Sequence, residues 1–403
     1  MKVPTPSSAR PIRALYIHPF GAYGGATKSL AEMFAGLPEG AVDGVAITPR
    51  GVAAESLAAV GMRTIYTAGV AKWDDTRFGH YRGIRWAILL RELAYWPATI
   101  LALRQASRLG PFDLVHCNEL PALLPALLAK RWLQAPLLVH VRSLQRGATG
   151  GAVTRWITGK LRRGADAVVA IDEAVRRTLP PDLPVTVIHN AMRPPTAGLP
   201  KRNNARTIRV GIIGVLHRAK GVFEFVEAAS LLRDRGVDAK FVVVGENVHN
   251  VSGLRGWLLK RFNFASDVRA ELESFVKRHA LQDRVEFTGF VKDVSSVYQS
   301  LDVVCFPSHL DAPGRPVFEA ALFGLPTIVA MRVPTEDVIV DGVTGLCISE
   351  PTPAAIADAI ERLHRDQEGC QRMGNEARKR ALSRFDSRVT AAKMFELYTN
   401  LIS

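Results

Sequence analysis

Pro307-Ser-His-Leu-Asp-Ala-Pro-Gly-Arg-Pro-Val-Phe-Glu-Ala-Ala-Leu-Phe-Gly-Leu-Pro-Thr-Ile-Val-Ala330 is the stretch on which the reading of the chain turns. It opens as a loop carrying a carboxylate, Asp311. Gly314 permits a tight bend, and the fixed φ of Pro316 suits the first position of a helix. Val317, Ala320, Ala321 and Leu322 carry that helix to Gly324, a fitting left-handed stop, and Pro326 blocks its continuation. Thr327–Ala330 then reads as a buried strand. Asp311 and Glu319, eight positions apart, therefore flank a helix N-terminus. The unpaired N–H groups and positive potential of such a terminus suit a phosphate. A carboxylate one turn inside it can accept from a ribose, and one before it from a sugar hydroxyl.

Working outward, the same strand, loop and helix theme opens each half of the chain. Arg13–His18 reads as a strand, Pro19–Gly25 as a glycine-bearing loop and Ala26–Leu37 as a helix. The loop has neither G-x-G-x-x-G nor Walker A spacing, so Gly24 and Gly25 read as a tight βα turn or as a loop edge open to a ligand. Arg209–Gly214 is a second such strand, followed by Val215-Leu-His-Arg-Ala-Lys-Gly221 and a helix through Leu232. Further short strands, among them 44–48, 113–116, 136–140, 167–171 and 241–246, alternate with helical patterns and predict parallel sheets. Residues 190–207, rich in Pro, Asn and charge, are the best linker. The predicted class is α/β, with a Rossmann-like domain over 1–195, a linker at 196–207, a second Rossmann-like domain over 208–385 and a terminal helix over 386–403. Ligands of open α/β sheets gather beyond the carboxyl ends of strands, which singles out His140 at the end of Leu-Leu-Val-His. His116 is its competitor, and Arg142, two residues past His140, is placed to meet a phosphate.

The 307–326 segment resembles the signature of the retaining glycosyltransferases of family 4, usually Pro-Ser-x-x-Glu-Gly-Phe-Gly, four residues, then Glu-Ala-x-x-x-Gly-x-Pro. Pro307, Ser308, Gly314, Glu319, Ala320, Gly324 and Pro326 match, whereas Asp311 stands for Glu, Ala312 for Gly and Pro313 for Phe. The family's other loop reads Gly-Arg-Leu, three residues, Lys-Gly. Gly214, Leu216, Lys220 and Gly221 match it, Val215 takes the arginine position, and Arg218 offers a second positive charge. The resemblance implies the GT-B fold, two Rossmann-like domains facing a cleft with the terminal helix crossing back to the first domain. It implies sugar transfer with retained anomeric configuration from a UDP- or GDP-sugar to a glycan or lipid-linked acceptor, in bacterial surface polysaccharide biosynthesis. No Asp-x-Asp element occurs, so the expectation is a metal-independent enzyme with no cofactor.

In the scheme that the resemblance implies, Lys220, Arg218 and the helix start formed by Gly314, Arg315, Pro316 and Val317 neutralise the departing diphosphate beside Gly214. Glu319 holds the ribose, Asp311 a sugar hydroxyl and His140 the sugar from the first domain, with Gly24 and Gly25 at the cleft mouth. Asp311, His140 and Lys220 are then the catalytic candidates. The departures at Val215 and Asp311 keep open a degenerate nucleotide-sugar binder that scaffolds a membrane polysaccharide assembly, and, behind it, acceptor-free epimerisation.

The bulk properties agree with a globular enzyme. Apolar residues make up 48% of 403 residues, enough for two cores. Four scattered cysteines form no CxxC pair, which fits a reduced, cytoplasmic compartment and no zinc site. Neither a signal peptide nor an uncharged spanning segment is expected. Residues 1–200 hold 24 Lys+Arg against 13 Asp+Glu, while residues 201–403 hold 28 against 25. That asymmetry predicts an anionic partner for the first half, an anionic membrane surface rather than nucleic acid, since no nucleic-acid motif occurs. Residues 82–104 and Arg155–Arg163, which mix Trp, Leu and Arg, fit a membrane interface or an ordinary amphipathic helix packed on the sheet.

Overall fold

The computed structural model describes residues 10–77, 79–81, 83, 86–196, 207–247, 267–291 and 293–403. Most of the expected linker, and residues 248–266, lie outside the described residues. Contacts divide the chain into two units, Met1–Arg193 with Arg384–Ser403, and Pro194–Ser383.

The first unit runs β1 (Ile12–Ile17), α1 (Gly25–Ala35), β2 (Val42–Pro49), α2 (Val52–Ala58), β3 (Arg63–Thr67), α3 (Trp86–Ala94), α4 (Trp96–Ser107) and β4 (Leu114–Cys117). It continues with α5 (Leu123–Leu133), β5 (Leu137–Val141), α6 (Gly151–Gly164), β6 (Ala167–Ala170), α7 (Glu173–Arg176) and β7 (Thr186–Val187). The seven strands lie in the order β3-β2-β1-β4-β5-β6-β7, every pair parallel. Helices cover both faces, so β4 and β5 are buried at every position and read as continuous rather than alternating apolar runs. The terminal α14 (Ser387–Ile402) belongs to this unit and packs on α1. Gly36 is needed there, because a Cβ would come within 2.6 Å of the Ser387 carbonyl. Tyr398 of α14 is fully buried, its hydroxyl 2.6 Å from His116 Nδ1 and donating to Tyr16 at 3.2 Å.

The second unit runs β8 (Ile208–Ile213), α8 (Val222–Asp234), β9 (Ala239–Val244), α9 (Val268–Arg278), β10 (Val285–Gly289) and α10 (Ser295–Gln299). Then come β11 (Val303–Phe306), α11 (Arg315–Leu322), β12 (Thr327–Ala330), β13 (Gly345–Ile348), α12 (Pro353–Arg365) and α13 (Gln367–Arg384). Its parallel sheet has the order β10-β9-β8-β11-β12-β13. Phe225, Ala229 and Leu232 of α8 and Ile356, Ile360 and Leu363 of α12 share one core against it. Gly211 in β8 leaves room for Leu301, which a Cβ would meet at 2.3 Å.

Both sheets reverse their strand order once, between β1 and β4 in the first unit and between β8 and β11 in the second. At such a point the following loops run off in opposite directions and leave a crevice beyond the carboxyl ends of the strands.

Candidate functional site

In the second unit the crevice lies between the loop after β8 and the loop after β11. The first loop ends in a 3-10 turn, Arg218–Lys220, capped by His217, whose Nδ1 accepts from the Ala219 N–H at 3.1 Å. Gly221 follows at φ 73°, and a Cβ there would lie 1.9 Å from the Pro307 carbonyl oxygen. The β11 loop is stitched to this turn. The His309 N–H donates to the Ala219 carbonyl at 3.0 Å, and the Ser308 hydroxyl to the same oxygen at 3.3 Å. His309 Nε2 also lies 2.8 Å from Glu224 Oε1 on α8. Replacing Gly221 by alanine is therefore expected to lower stability by about 2 kcal/mol or more, read from the urea midpoint, because it adds left-handed strain to a clash with backbone. An unchanged midpoint would show that the two loops are not tightly joined.

Phe306, the last residue of β11, is the platform on which the site is built. The Lys220 ammonium lies 5.1 Å from its ring centroid. A Cβ on Gly314 would strike the same ring at 2.3 Å, so glycine is required for space. Lys220 and the start of α11 are thereby brought to one aromatic ring. Burial pulls the Lys220 amine below its ordinary pKa, and among the described residues its side chain has no ion-pair partner.

The helix α11 starts at Arg315 with Gly314 as an extended N-cap, so Pro316 occupies the second position of the helix and not the first. Glu319, one turn in, is held by Arg315 and Tyr298. Its Oε1 accepts from Arg315 Nε at 2.7 Å and its Oε2 from the Tyr298 hydroxyl at 2.9 Å. Tyr298 lies 21 residues upstream and carries no local signal of this role.

Four expected site residues, Arg218, Asp311, His140 and Gly214, have surroundings that the sequence did not announce. The Arg218 guanidinium is paired with Glu271 of α9 and rests 4.2 Å from the Phe223 ring centroid. Val215 is half exposed and uncharged. Asp311 adopts a left-handed φ of 53°, and its Oδ1 accepts from the Arg332 N–H at 2.9 Å with the Arg332 Nε 3.4 Å from Oδ2. It lines a polar cavity of about 280 Å³ with Ser308, Arg332, Ser349 and Glu350. His140 does not end its strand, since β5 runs on to Val141, and the ring is buried. Gly214, at φ 140°, supports close packing instead, because Gly245 can approach its carbonyl only without a Cβ.

The crevice of the first unit holds a buried polar constellation that no motif announced. His18 Nδ1 accepts from Asn118 Nδ2 at 2.9 Å, and its Nε2 lies 3.0 Å from Thr27 Oγ1. Arg142, just past β5, donates through Nε to Asn118 Oδ1 at 3.0 Å, through Nη1 to Asn190 Oδ1 at 2.7 Å and through Nη2 to His140 Nδ1 at 3.1 Å. The buried Glu119 accepts from the Arg142 N–H at 3.2 Å and from the Ser143 hydroxyl at 2.9 Å. Burial and the Arg142 charge hold His18 near a pKa of about 3 and push His116 and His140 well below the usual histidine range. Burial raises Glu119. Gly24 caps α1 in extended backbone and Gly25 begins it, with open space where either Cβ would stand.

The second of the two Rossmann-like units thus gathers a cation and a helix start on one aromatic ring, with a carboxylate one turn into that helix. The model described as "Glycosyl transferases group 1" matches residues 200–380, and that described as "Glycosyl transferase 4-like domain" matches residues 24–191. The chain belongs to this family and has the GT-B fold. It is 23% identical to the capsular polysaccharide biosynthesis glycosyltransferase CapM of Staphylococcus aureus, over 48% of this chain and 46% of that one. The match thus spans under half of that relative's length. It is 22% identical to a glycogen synthase of Mycobacterium tuberculosis, over 71% of this chain and 68% of the relative. The crystal structure of Anabaena HepE in complex with UDP and glucose matches its fold with a TM-score of 0.72 at 19% identity, covering 96% of this chain and 99% of HepE.

Proposed function

We propose that the chain moves a sugar from a nucleoside-diphosphate donor, bound at the β8–β11 crevice, to a glycan or lipid-linked acceptor. The observation that carries this reading is the convergence of Lys220 and Gly314 on Phe306, with Glu319 held one turn into α11. In the proposed reaction the bond between C1 of the sugar and the diphosphate oxygen breaks. The Lys220 ammonium and the positive end of α11 take up the charge growing on the diphosphate. The acceptor oxygen bonds to C1 on the same face and passes its proton to the leaving phosphate, so configuration is retained. Glu319, oriented by Arg315 and Tyr298, is assigned to the ribose hydroxyls, since a carboxylate is an acceptor-only group. No metal ion is assigned a part, since Lys220 and α11 supply the positive charge. His140 acts through Arg142, whose guanidinium it helps to hold at the end of β5. Surface polysaccharide assembly is the setting that CapM, a relative by sequence, supports.

The test is thermal unfolding with UDP, GDP, ADP and dTDP in turn, with and without EDTA. A nucleotide at about 100 times its Kd is expected to add roughly 2.7 kcal/mol of stability. HepE was solved with UDP, which makes UDP the first to try. A raised midpoint that persists in EDTA supports the metal-independent donor site. No rise with any nucleotide would favour the scaffold reading, to which the uncharged Val215 and the pairing of Arg218 with Glu271 lend weight.

A further inference from the structure

The helix pair α3–α4 is packed with its sides partly reversed. Thr99, Ala102, Leu103 and Ala106 face the sheet together with Glu92, which is 1% exposed and paired with Arg91 and Lys72. Facing outward at helical spacing are Trp86, Leu90, Leu93, Pro97, Leu101 and Arg104. Trp86 is 53% exposed, Leu90 70% and Leu101 62%. The steps between these residues are four, three, four, four and three, so they form one stripe along about 27 Å of helix. A surface helix ordinarily puts its acid outside and its leucines inside. Here the exposed stripe is the apolar one.

The stripe does not end at Trp86. Its ring lies 5.9 Å from Tyr81, Tyr81 lies 5.6 Å from Trp73, and Trp73 lies 5.8 Å from Trp156 of α6. Trp156 is itself 44% exposed. An unbroken chain of aromatic rings thus joins the two helical surfaces. The exposed charges on α3, α4 and α6 are all cationic, since Glu92 is buried and neither α4 nor α6 contains Asp or Glu. Arg155, Lys160 and Arg163 stand on the outer side of α6.

We propose that this face of the first unit lies on the surface of an anionic phospholipid bilayer, with the leucine stripe and Trp86 and Trp156 in the headgroup–acyl boundary. Tryptophan favours that boundary, and arginine and lysine around it meet lipid phosphates. Charge decides between occupants. A second copy of this chain would set like charges against each other across a self-complementary contact, whereas anionic headgroups neutralise them. The segment Trp86–Ser107 is long and apolar enough to cross a bilayer by length and composition, which the sequence reading did not expect. Yet Leu103 and Ala106 are buried in the unit, and the Thr99 hydroxyl accepts from the Ala71 N–H at 2.8 Å. The geometry is that of a helix lying in the interface and not one spanning it.

The test is flotation of the full chain with phosphatidylcholine vesicles, with and without phosphatidylglycerol, for wild type and for Leu90→Glu with Leu101→Glu. Wild type is expected to float with the anionic vesicles and to be released by salt. Each substitution is expected to weaken partitioning roughly tenfold while the thermal midpoint holds, because both side chains stand in solvent. Wild type that stays in the soluble fraction at low salt overturns the proposal, as does a variant that floats as wild type does. A dimer in light scattering that the double variant dissolves would give the stripe to a second copy, and would overturn it too. None of these readouts uses the donor site, so failure here leaves the proposed transfer standing, and the reverse.

Discussion

Lys220→Met is expected to lower sugar transfer by about 10²–10³-fold, with the melting midpoint held. Methionine keeps an apolar stem against Phe306 but removes the ammonium that the crevice presents to an incoming diphosphate. The loss should fall on kcat/KM, since the charge grows on the diphosphate as the glycosidic bond to it breaks. The nucleotide-induced rise in midpoint should shrink in the same variant. Arg218→Met serves as the comparison, and its effect should be small because that guanidinium is engaged with Glu271 and Phe223. Equal losses in the two variants would mean that Arg218 swings into the crevice, and full activity of Lys220→Met would remove the proposed role. The charge on Lys220 also carries a pH dependence. Because burial lowers its pKa, the amine loses its proton earlier than an exposed lysine, and KM for the donor should climb as pH rises toward that range. Glu319 needs the milder substitution. Alanine would take the carboxylate away from both the Arg315 guanidinium and the Tyr298 hydroxyl, whereas glutamine keeps a partner for Tyr298.

The second large effect is acid unfolding of the first unit. His18, His116 and His140 are buried and neutral, each with its pKa pulled below the ordinary value. Below about pH 6.5 the unfolded chain takes up protons that the folded chain refuses, so stability falls as pH falls. For His18 the loss continues down to its folded pKa of about 3. The limiting slope is roughly 1.4 kcal/mol per pH unit for each such histidine, and three together make about 4. Glu119, whose pKa is raised by burial, opposes them only near the carboxylate range, where the folded chain binds a proton more readily than the unfolded one. Domains of ordinary stability, about 5–15 kcal/mol, would then lose the first unit within a few pH units of neutrality. Urea midpoints followed by near-UV circular dichroism from neutral pH downward measure this. A flat profile between about pH 6.5 and 4.5 would show that these imidazoles are protonated in the folded state. His140→Gln should flatten the slope by about one part in three if the three titrate alike.

Local chemistry explains why the second unit was the more readable. Gly314, Glu319, Gly324 and Pro326 are separated by spacings set by one short helix, and each has a local reason to be where it is. The helix began one residue earlier than the proline suggested, because Gly314 in extended backbone serves as the N-cap. Lys220 was legible from its glycine neighbour, and Gly221 indeed sits in the left-handed region against Pro307. The phosphate clamp drawn from Arg218 was not settled by the sequence, because Glu271 lies 53 residues away on α9 and nothing near Arg218 announces it. The same holds for Asp311 and Arg332. In the first unit His140 looked like a strand end because it is followed by Val141 and Arg142, yet parallel pairing of His140 with Val169 and of Val141 with Ala170 extends the strand by one residue.

The sequence by itself determined two parallel α/β units, their order along the chain and the loops that carry glycine, lysine and carboxylate, because strand runs, helix periods and glycine stops are local. Tertiary structure alone decided which charges meet. It placed Lys220 and Gly314 on Phe306 and joined Tyr298 to Glu319. It also threaded Arg142 among Asn118, His140 and Asn190 and turned the leucines of α3 and α4 outward. Strand order and helix rotation set these contacts between residues far apart in the chain, and neither is written in the spacing of any one segment.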